Sequence, residues 1–251
     1  MQDNKQMIYG RHPVQEALEA GNPVEKVWLQ QGVRGEMEKA IRHLCRDRHV
    51  PLVVIPRERL NQLVKGNHQG VAAMLASVSY YQLGEVLPAI YERGETPLLL
   101  LLDGVTDVRN IGAIARSAEV CGAQALVTPI KGGGAITPEA VKTSAGALSR
   151  LPICRETSIS ASLDLLGKSG VQVLASDLKG DRYLHELDLT QPTAFVLGSE
   201  GDGIQPAIAA AADYRFRIPQ LGTLNSFNVS VAAGIMLYET MRQRMSATPE
   251  P

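Results

Sequence analysis

The sequence predicts an α/β protein with two domains. Its 251 residues suit one large domain or two small ones, and a hydrophobic content of 45% is enough to build a substantial core. From Leu98 onward, short apolar runs alternate with helical stretches, a pattern typical of a mostly parallel sheet covered by helices. Residues 1–76 have an alternating pattern of their own, which indicates a separate small domain.

The small domain is expected to contain two helices and three strands. Pro13 suits a first helical turn and is followed by apolar residues at helical spacing, and Gly21-Asn22-Pro23 ends that helix. A turn-forming cluster, Asn67-His68-Gln69-Gly70, precedes the last strand. The expected helices cover residues 13–20 and 36–48, and the expected strands cover residues 24–29, 52–55 and 71–75.

The larger domain is expected over residues 98–246, after a linker with a connecting helix at residues 77–97 and before a tail at residues 247–251. Ligands of parallel sheets bind beyond the carboxyl ends of the strands, so a site is expected in the loops after Leu102, Leu197 and Ile218. The predicted strands are residues 98–102, 125–127, 171–175 and 194–197, and the predicted helices are residues 111–121, 138–149, 161–167, 206–212 and 229–244.

The formal net charge of −1 hides two unlike halves. Residues 1–75 hold 11 Lys and Arg against 8 Asp and Glu, whereas the remainder holds 14 against 18. The first part of the chain is therefore basic and the second is acidic.

The cysteines and the apolar runs exclude several protein classes. Cys45, Cys121 and Cys154 are widely spaced and lack a C-x-x-C pattern, so neither a disulfide framework nor a zinc site is indicated. The apolar runs are far shorter than the roughly 18 residues of a membrane-spanning helix, and no export leader is evident. We therefore expect no membrane span, no bound metal and a cytoplasmic location.

Asn110 and Arg116 are the polar residues of interest after the first strand of the larger domain. Asn110 is placed to cap the following helix, and Arg116 lies six residues further on. Both have structural explanations on spacing alone, because Asn is a good N-cap and an exposed Arg is usually solvated or bound to phosphate.

The other two loops combine glycines with polar side chains. The glycines of residues 198–203 fit neither a dinucleotide fingerprint nor a nucleophile elbow; they either form a plain turn or let main-chain groups approach a flat ligand. Asn225, Ser226 and Asn228 exceed what one helix cap requires, which indicates a polar site. The small residues Ala232-Ala233-Gly234 indicate close packing, which a subunit partner could supply.

Together and in this order, the three loops resemble the signature motifs of the SpoU (TrmH-like) family of the SPOUT superfamily. Those proteins are RNA ribose 2′-O-methyltransferases that use S-adenosyl-L-methionine (AdoMet). The motif N-x-G-A-I-x-R-S-A matches residues 110–118, G-x-E-G matches residues 198–201, and I-P-x-x-G-x-x-x-S-x-N-V-S-V-A matches residues 218–232. Residues 8–14 and 68–71 resemble the ends of the L30e-like substrate-binding domain of RlmB-type 23S rRNA guanosine 2′-O-methyltransferases.

The resemblance implies a role for each site residue. It assigns Arg116 to the ribose 2′-hydroxyl and the adjoining phosphate. Arginine is a poor general base because its pKa lies above about 12, so electrostatic stabilisation of a developing alkoxide is an equal explanation. The residues implied to arrange the ribose and Arg116 are Asn110, Glu200, Ser226 and Asn228. Those implied to hold AdoMet, several through main-chain groups, are Leu197, Gly198, Gly201, Ile218, Gln220, Phe227 and Asn228.

The same resemblance implies an architecture and partners. The larger domain is expected to be a SPOUT domain with a deep trefoil knot, an exception to unknotted topology, in a homodimer whose active site lies near the subunit interface. The expected substrate is an accessible ribose of 23S rRNA, and the 2′-hydroxyl excludes DNA. The basic small domain would bind RNA, with Arg42, Arg46 and Arg48 as a local patch.

Three residues depart from the commonest family pattern. Gln220 and Phe227 stand where the family usually has Met and Leu, and Val108 replaces a frequent Pro. We expect altered packing around the adenine with no loss of AdoMet binding, and a change only in the rigidity of the first loop.

Two alternatives stay open. One is a tRNA 2′-O-methyltransferase, against which the L30e-like module argues. The other is a non-catalytic RNA-binding factor for ribosome assembly, against which the intact set of Asn110, Arg116, Glu200 and Asn228 argues.

Overall fold

The structure is a computed structural model that describes residues 7–224 and 226–247. The chain forms two compact units, Met1–Ser79 and Tyr80–Pro251. None of the helices in the described part of the chain is long and apolar enough to cross a membrane.

The first unit is a four-stranded sheet with helices. In spatial order β1-β4-β2-β3, strand β4 runs antiparallel to β1 and β2, and β3 runs parallel to β2. The strands are β1 (Met7–Tyr9), β2 (Val24–Gln30), β3 (Leu52–Ile55) and β4 (Val71–Leu75). The helices are α1 (Arg11–Glu19), α2 (Glu36–Asp47) and α3 (Arg57–Leu63).

The predicted elements of this unit all form, and two more accompany them. Helix α1 buries Val14, Ala17 and Leu18, the apolar positions three and four residues apart, in the unit's core. Sequence analysis missed β1 because it is only three residues long. It missed α3 because Leu60 is the one buried residue in an otherwise polar segment.

The second unit is an eight-stranded sheet whose paired strands all run parallel, in the order β10-β12-β9-β11-β6-β7-β8-β5. This confirms the predicted α/β class with a parallel sheet. The strands are β5 (Tyr80–Tyr81), β6 (Leu98–Asp103), β7 (Ala125–Pro129), β8 (Ile153–Glu156), β9 (Gln172–Ser176), β10 (Arg182–Tyr183), β11 (Thr193–Gly198) and β12 (Tyr214–Arg217). The helices are α4 (Leu83–Glu92), α5 (Val108–Val120), α6 (Pro138–Thr143), α7 (Ile159–Lys168), α8 (Pro206–Ala211) and α9 (Val229–Ala247).

Besides β8 and β10, which sequence analysis missed, two segments of this unit differ from expectation. Residues 77–97 contain the expected connecting helix as α4, but its Leu83, Leu87 and Ile90 lie in the core, and the unexpected strand β5 adds to the sheet edge. The single helix expected over residues 138–149 ends at Thr143. Ala145 and Gly146 have φ values of 50° and 85°, which no α-helix accommodates, and a short 3₁₀ turn follows.

The trefoil knot implied by the resemblance stays a prediction. Of the expected tail, only Ala247 lies within the described residues, where it ends α9.

Candidate active site

The carboxyl ends of β6 and β11 lie side by side in the middle of the large sheet. The two strands pair in parallel, with Gly198 opposite Asp103 at their last residues. From β6 the chain continues to β7 on one side, and it later returns to β9 and β11 on the other. Such a switch in strand order opens a crevice where parallel sheets bind ligands.

Three side chains beyond these strand ends form a closed hydrogen-bonded set, here called the Asn–Glu–Asn triad. Asn110 Nδ2, in the first turn of α5, donates to Glu200 Oε1 at 3.0 Å. Asn228 Nδ2, just before α9, donates to the same oxygen at 2.7 Å and to Asn110 Oδ1 at 3.1 Å. Hydrogen bonds of the triad therefore join the three loops in space. From the sequence, these loops were grouped only because their motifs resemble those of one family.

Ser230 determines which way the Asn228 amide points. Its backbone N and its Oγ donate to Asn228 Oδ1 at 2.9 and 2.6 Å. Because Oδ1 accepts these bonds, Nδ2 is left to face Glu200 and Asn110. Sequence analysis did not single out Ser230, although a Ser two residues after an Asn at a helix start is the spacing of an Asx turn.

The loop after β11 is a closed turn that only glycine permits at its start. Ser199 and Gly203 exchange two backbone hydrogen bonds of 3.1 Å, and the Asp202 backbone N donates to Ser199 Oγ at 3.1 Å. A Cβ at Gly198 would lie 2.1 Å from the Gly203 carbonyl carbon, whereas one at Gly201 would meet nothing within 4 Å. Close backbone approach at Gly198 thus sets the shape of the loop that carries Glu200.

Asp103 anchors the far end of the same loop. Its side chain is 2% exposed, and its two oxygens accept from the backbone N and the Nε2 of Gln205 at 2.8 and 2.6 Å. A buried carboxylate needs such donors to replace water. Sequence analysis missed this anchor because Gln205 is 102 residues away in the chain.

The cap of α5 corrects one expectation. The helix begins at Val108 and its N-cap is Asp107, whose side chain accepts from the Arg109 backbone N; Asn110 therefore lies inside the first turn and its side chain is free to join the triad. Hydrogen bonding from the Arg109 side chain lowers the pKa of the Asp107 carboxyl, so the cap stays ionised at neutral pH.

A cavity of about 1020 Å³ opens next to the triad. Glu200 belongs to its wall as well as to the triad, so the two features adjoin at that residue. Further residues expected to contact a cofactor or the ribose also line the cavity: Leu197, Gly198, Gly201, Ile218, Gln220, Ser226 and Phe227.

Arg116 belongs to neither feature. It is exposed on α5, and no hydrogen bond or ion pair to it occurs among residues 7–224 and 226–247. Asn110 and Asn228 belong to the triad and not to the cavity lining. Asn225, the remaining polar residue of the third loop, lies outside the described residues.

The cysteines and possible metal ligands were also located. Burial raises the pKa of Cys45 and of Cys154 to about 12, so both thiols are neutral at physiological pH. Within the described residues, no three His, Cys, Asp or Glu side chains are grouped so as to hold a metal ion.

Comparison with known families matches both units. The SpoU rRNA Methylase family matches residues 97–238, and the family described as RNA 2′-O ribose methyltransferase substrate binding matches residues 7–81.

Individual relatives match over about two thirds of the chain or more, and two of the three described here match nearly all of it. A putative TrmH family tRNA/rRNA methyltransferase, YacO of Bacillus subtilis, is 31% identical over 97% of this chain and 98% of its own length. The SpoU methyltransferase AviRb from Streptomyces viridochromogenes, crystallised with AdoMet, is 28% identical with a TM-score of 0.62, covering 96% of this chain and 91% of its own. A TrmH/SpoU tRNA modifying enzyme of A. aeolicus is 30% identical with a TM-score of 0.55, over 65% of this chain and 85% of its own.

These matches cover the loops that form the triad and the cavity as well as the smaller first unit. The chain therefore belongs to the SpoU (TrmH) family of RNA methyltransferases.

Proposed function

We propose that this protein transfers the methyl group of AdoMet to the ribose 2′-hydroxyl of a guanosine in 23S rRNA. The observation that carries the proposal is the Asn–Glu–Asn triad at the rim of the cavity, where one carboxylate is shared between the two features. Reacting groups held by the two features would therefore be neighbours.

The cavity fits AdoMet in size and chemistry. Ligand pockets typically measure about 300–1,000 Å³ and combine apolar walls with a few polar groups. Leu197, Ile218 and Phe227 supply apolar surface here, and Gln220 and Ser226 supply polar groups. Main-chain groups at Gly198, Ile218 and Phe227 would hold the cofactor.

The chain's own residues would orient the ribose 2′-hydroxyl and stabilise the negative charge that develops on its oxygen. When bound, AdoMet supplies an electrophilic methyl group, which leaves positioning and electrostatics to the protein. Two amides hold one oxygen of Glu200, so the carboxylate is fixed in direction. Glu200, Ser226 and the two asparagines would arrange the ribose at this fixed point.

Arg116 would act on the phosphate next to the target ribose. It is exposed and none of the described residues is its ion-pair partner, so its charge is available to an RNA phosphate. An arginine so placed stabilises negative charge developing on the 2′-oxygen, whereas direct proton removal would require a neutral guanidine.

A homodimer would place the active site near the subunit interface. Along α9, Val231, Tyr238 and Met245 are 50%, 59% and 69% exposed. They are seven residues apart and therefore share one face of the helix. This apolar stripe follows Asn228 directly, so a partner packed on it would lie next to the triad.

The first unit supports rRNA over tRNA as the substrate. The tRNA modifying enzyme of A. aeolicus matches only 65% of this chain, so about a third of the chain has no counterpart in that enzyme. The tRNA 2′-O-methyltransferase remains the second candidate, because YacO is named as acting on tRNA or rRNA.

Label transfer tests the proposal. The protein is incubated with methyl-labelled AdoMet and either protein-free 23S rRNA, ribosomal particles or a tRNA pool, and the RNA is then hydrolysed in alkali. A 2′-O-methyl group blocks cleavage at its own nucleotide, so we expect label in alkali-resistant dinucleotides from 23S rRNA. Label only in tRNA would favour the second candidate, and AdoMet binding without transfer to any RNA would contradict both.

A further inference from the structure

The first unit contains a cleft of about 710 Å³ that the proposed reaction does not use. It opens between the start of α1, helix α3 and the turn before β4. We call it the α1–α3 cleft and define it by six of its lining residues: Arg11, His12, Arg57, Asn61, Asn67 and Gln69.

The cleft carries positive charge that nothing nearby neutralises. Its lining includes two arginines and two histidines but no Asp or Glu. His12 and Arg57 are exposed, and neither has an ion pair or side-chain hydrogen bond with any residue in the described ranges. The first turn of α1 holds no acidic residue, so its positive end adds to the same potential.

Three arginines on and just after α2 already have partners. Arg42 pairs with Glu38 one turn away, Arg46 lies 3.8 Å from Asp47, and Arg48 donates to the Glu19 carbonyl at 3.2 Å. These are the residues that sequence analysis grouped as an RNA-binding patch. Partnered charges attract a phosphate less strongly than free ones, which makes the cleft a better candidate for an RNA contact than these three arginines.

The floor of the cleft is rigid. His68 is 7% exposed; its Nδ1 accepts from the Gly70 backbone N at 3.0 Å, and its Nε2 lies 2.7 Å from Asn61 Oδ1. Since Nδ1 is an acceptor, Nε2 carries the proton and donates to Asn61, which leaves the Asn61 amide nitrogen free to donate elsewhere.

Arg11 fastens the turn at the mouth of the cleft. Its backbone N donates to Gln69 Oε1 at 3.1 Å and its Nε donates to the Gln69 carbonyl at 3.2 Å. Gln69 itself has a φ of 51°, a left-handed conformation that a non-glycine residue adopts at a cost of about 1 kcal/mol or more. Such local strain is typical of turns whose shape serves binding.

The lining combines the three kinds of group that bind an unpaired nucleotide. Cations suit the phosphate, the amides of Asn61, Asn67 and Gln69 suit the edge of a base, and Val33 and Met37 offer apolar surface. We propose that the α1–α3 cleft binds a single-stranded nucleotide of the RNA substrate, outside the catalytic unit. This inference rests on the proposed function for its choice of RNA as ligand.

Salt-dependent RNA binding by the full-length protein tests the inference. The probe is a fluorescein-labelled single-stranded RNA decamer, measured by anisotropy over a range of salt concentrations. We expect Arg57→Gln to weaken binding about fivefold, the effect of one exposed charge contact. His12→Ala removes a hydrogen-bonding ring and should weaken binding by a similar factor. Arg57→Gln should also reduce the slope of log affinity against log salt by about 0.7, because one phosphate contact is lost.

Arg46→Gln is the matched control, since it removes the same charge from the same unit outside the cleft. It should leave both affinity and slope unchanged. Cleft variants that bind as the unchanged protein does, or a larger loss in Arg46→Gln, would overturn the inference. AdoMet binding measured by calorimetry on the same samples reports on the proposed function separately, so a failure there is distinguishable from a failure at the cleft.

Discussion

The side-chain amide of Asn228 donates to Glu200 Oε1 at 2.7 Å across 28 residues of chain. This bond joins the start of α9 to the glycine loop after β11, and Asn110 of α5 shares the same carboxylate oxygen. The catalytic proposal depends on this contact, because it fixes the Glu200 side chain at the edge of the cavity.

The charge of Glu200 should matter more than its size. Glu200→Gln keeps the shape but removes the charge, and we expect methyl transfer to RNA to fall on the order of a hundredfold, the effect of a misdirected positioning group. Asp202→Asn removes an equal charge from the same loop outside the triad and should retain most activity. Equal loss in both variants would show that overall loop charge matters and the triad does not.

Ser230 should act only through Asn228. Ser230→Ala removes the Oγ donor but leaves the backbone N donor. We expect turnover to fall roughly tenfold, while the free energy of unfolding changes by about 1 kcal/mol or less. In the background of Asn228→Ala the same change should have no further effect on turnover. Additive losses would contradict the positioning role.

Two glycines of the same loop should tolerate alanine very differently. Gly198→Ala places a Cβ 2.1 Å from a backbone carbon and should abolish AdoMet binding measured by calorimetry, because the loop must move. Gly201→Ala meets open space and should bind AdoMet within a few-fold of the unchanged protein. Strong binding by Gly198→Ala would rule out this loop as a wall of the cofactor site.

Arg116 should be needed for transfer and not for cofactor binding. We expect Arg116→Ala to abolish methyl transfer while AdoMet affinity stays within a few-fold, since Arg116 lies outside the cavity lining. Arg116→Lys keeps the positive charge but lacks the planar guanidinium fork, so it should retain only part of the activity. Near-normal turnover of Arg116→Ala would remove this residue from the mechanism.

The apolar stripe of α9 should hold two copies together. Tyr238→Glu puts a charge in the middle of the stripe and should shift the protein from dimer to monomer in analytical ultracentrifugation. Val54→Glu, at an exposed apolar position in the first unit, should leave the mass unchanged. A monomer in the unsubstituted protein would contradict the proposed dimer.

Elements with strong periodicity could be predicted from sequence, and elements fixed by distant contacts could not. The six residues of β6 are all buried, and their apolar run is visible in the chain. By contrast, β5 has two residues and belongs to the sheet only because Tyr80 and Tyr81 pair with β8, more than 70 residues away. Short edge strands of this kind carry no periodic signal of their own.

Motif matching identified the members of the site without their geometry. It grouped Asn110, Glu200 and Asn228 as site residues. It could not show the hydrogen bonds between them, because these depend on the order of the strands in the sheet. Asp107 was missed as the helix cap because Asn110 is an equally good capping residue three positions later. The point at which the chain leaves β6 determines that Asp107, and not Asn110, caps the helix.

The most direct test is a map of 2′-O-methyl groups in 23S rRNA from cells that encode this protein, compared with the same cells after its gene is deleted. The proposal predicts that one guanosine 2′-O-methyl is lost on deletion, is restored by the unchanged gene and is not restored by Arg116→Ala. An identical 23S rRNA methylation map in the two strains would contradict it.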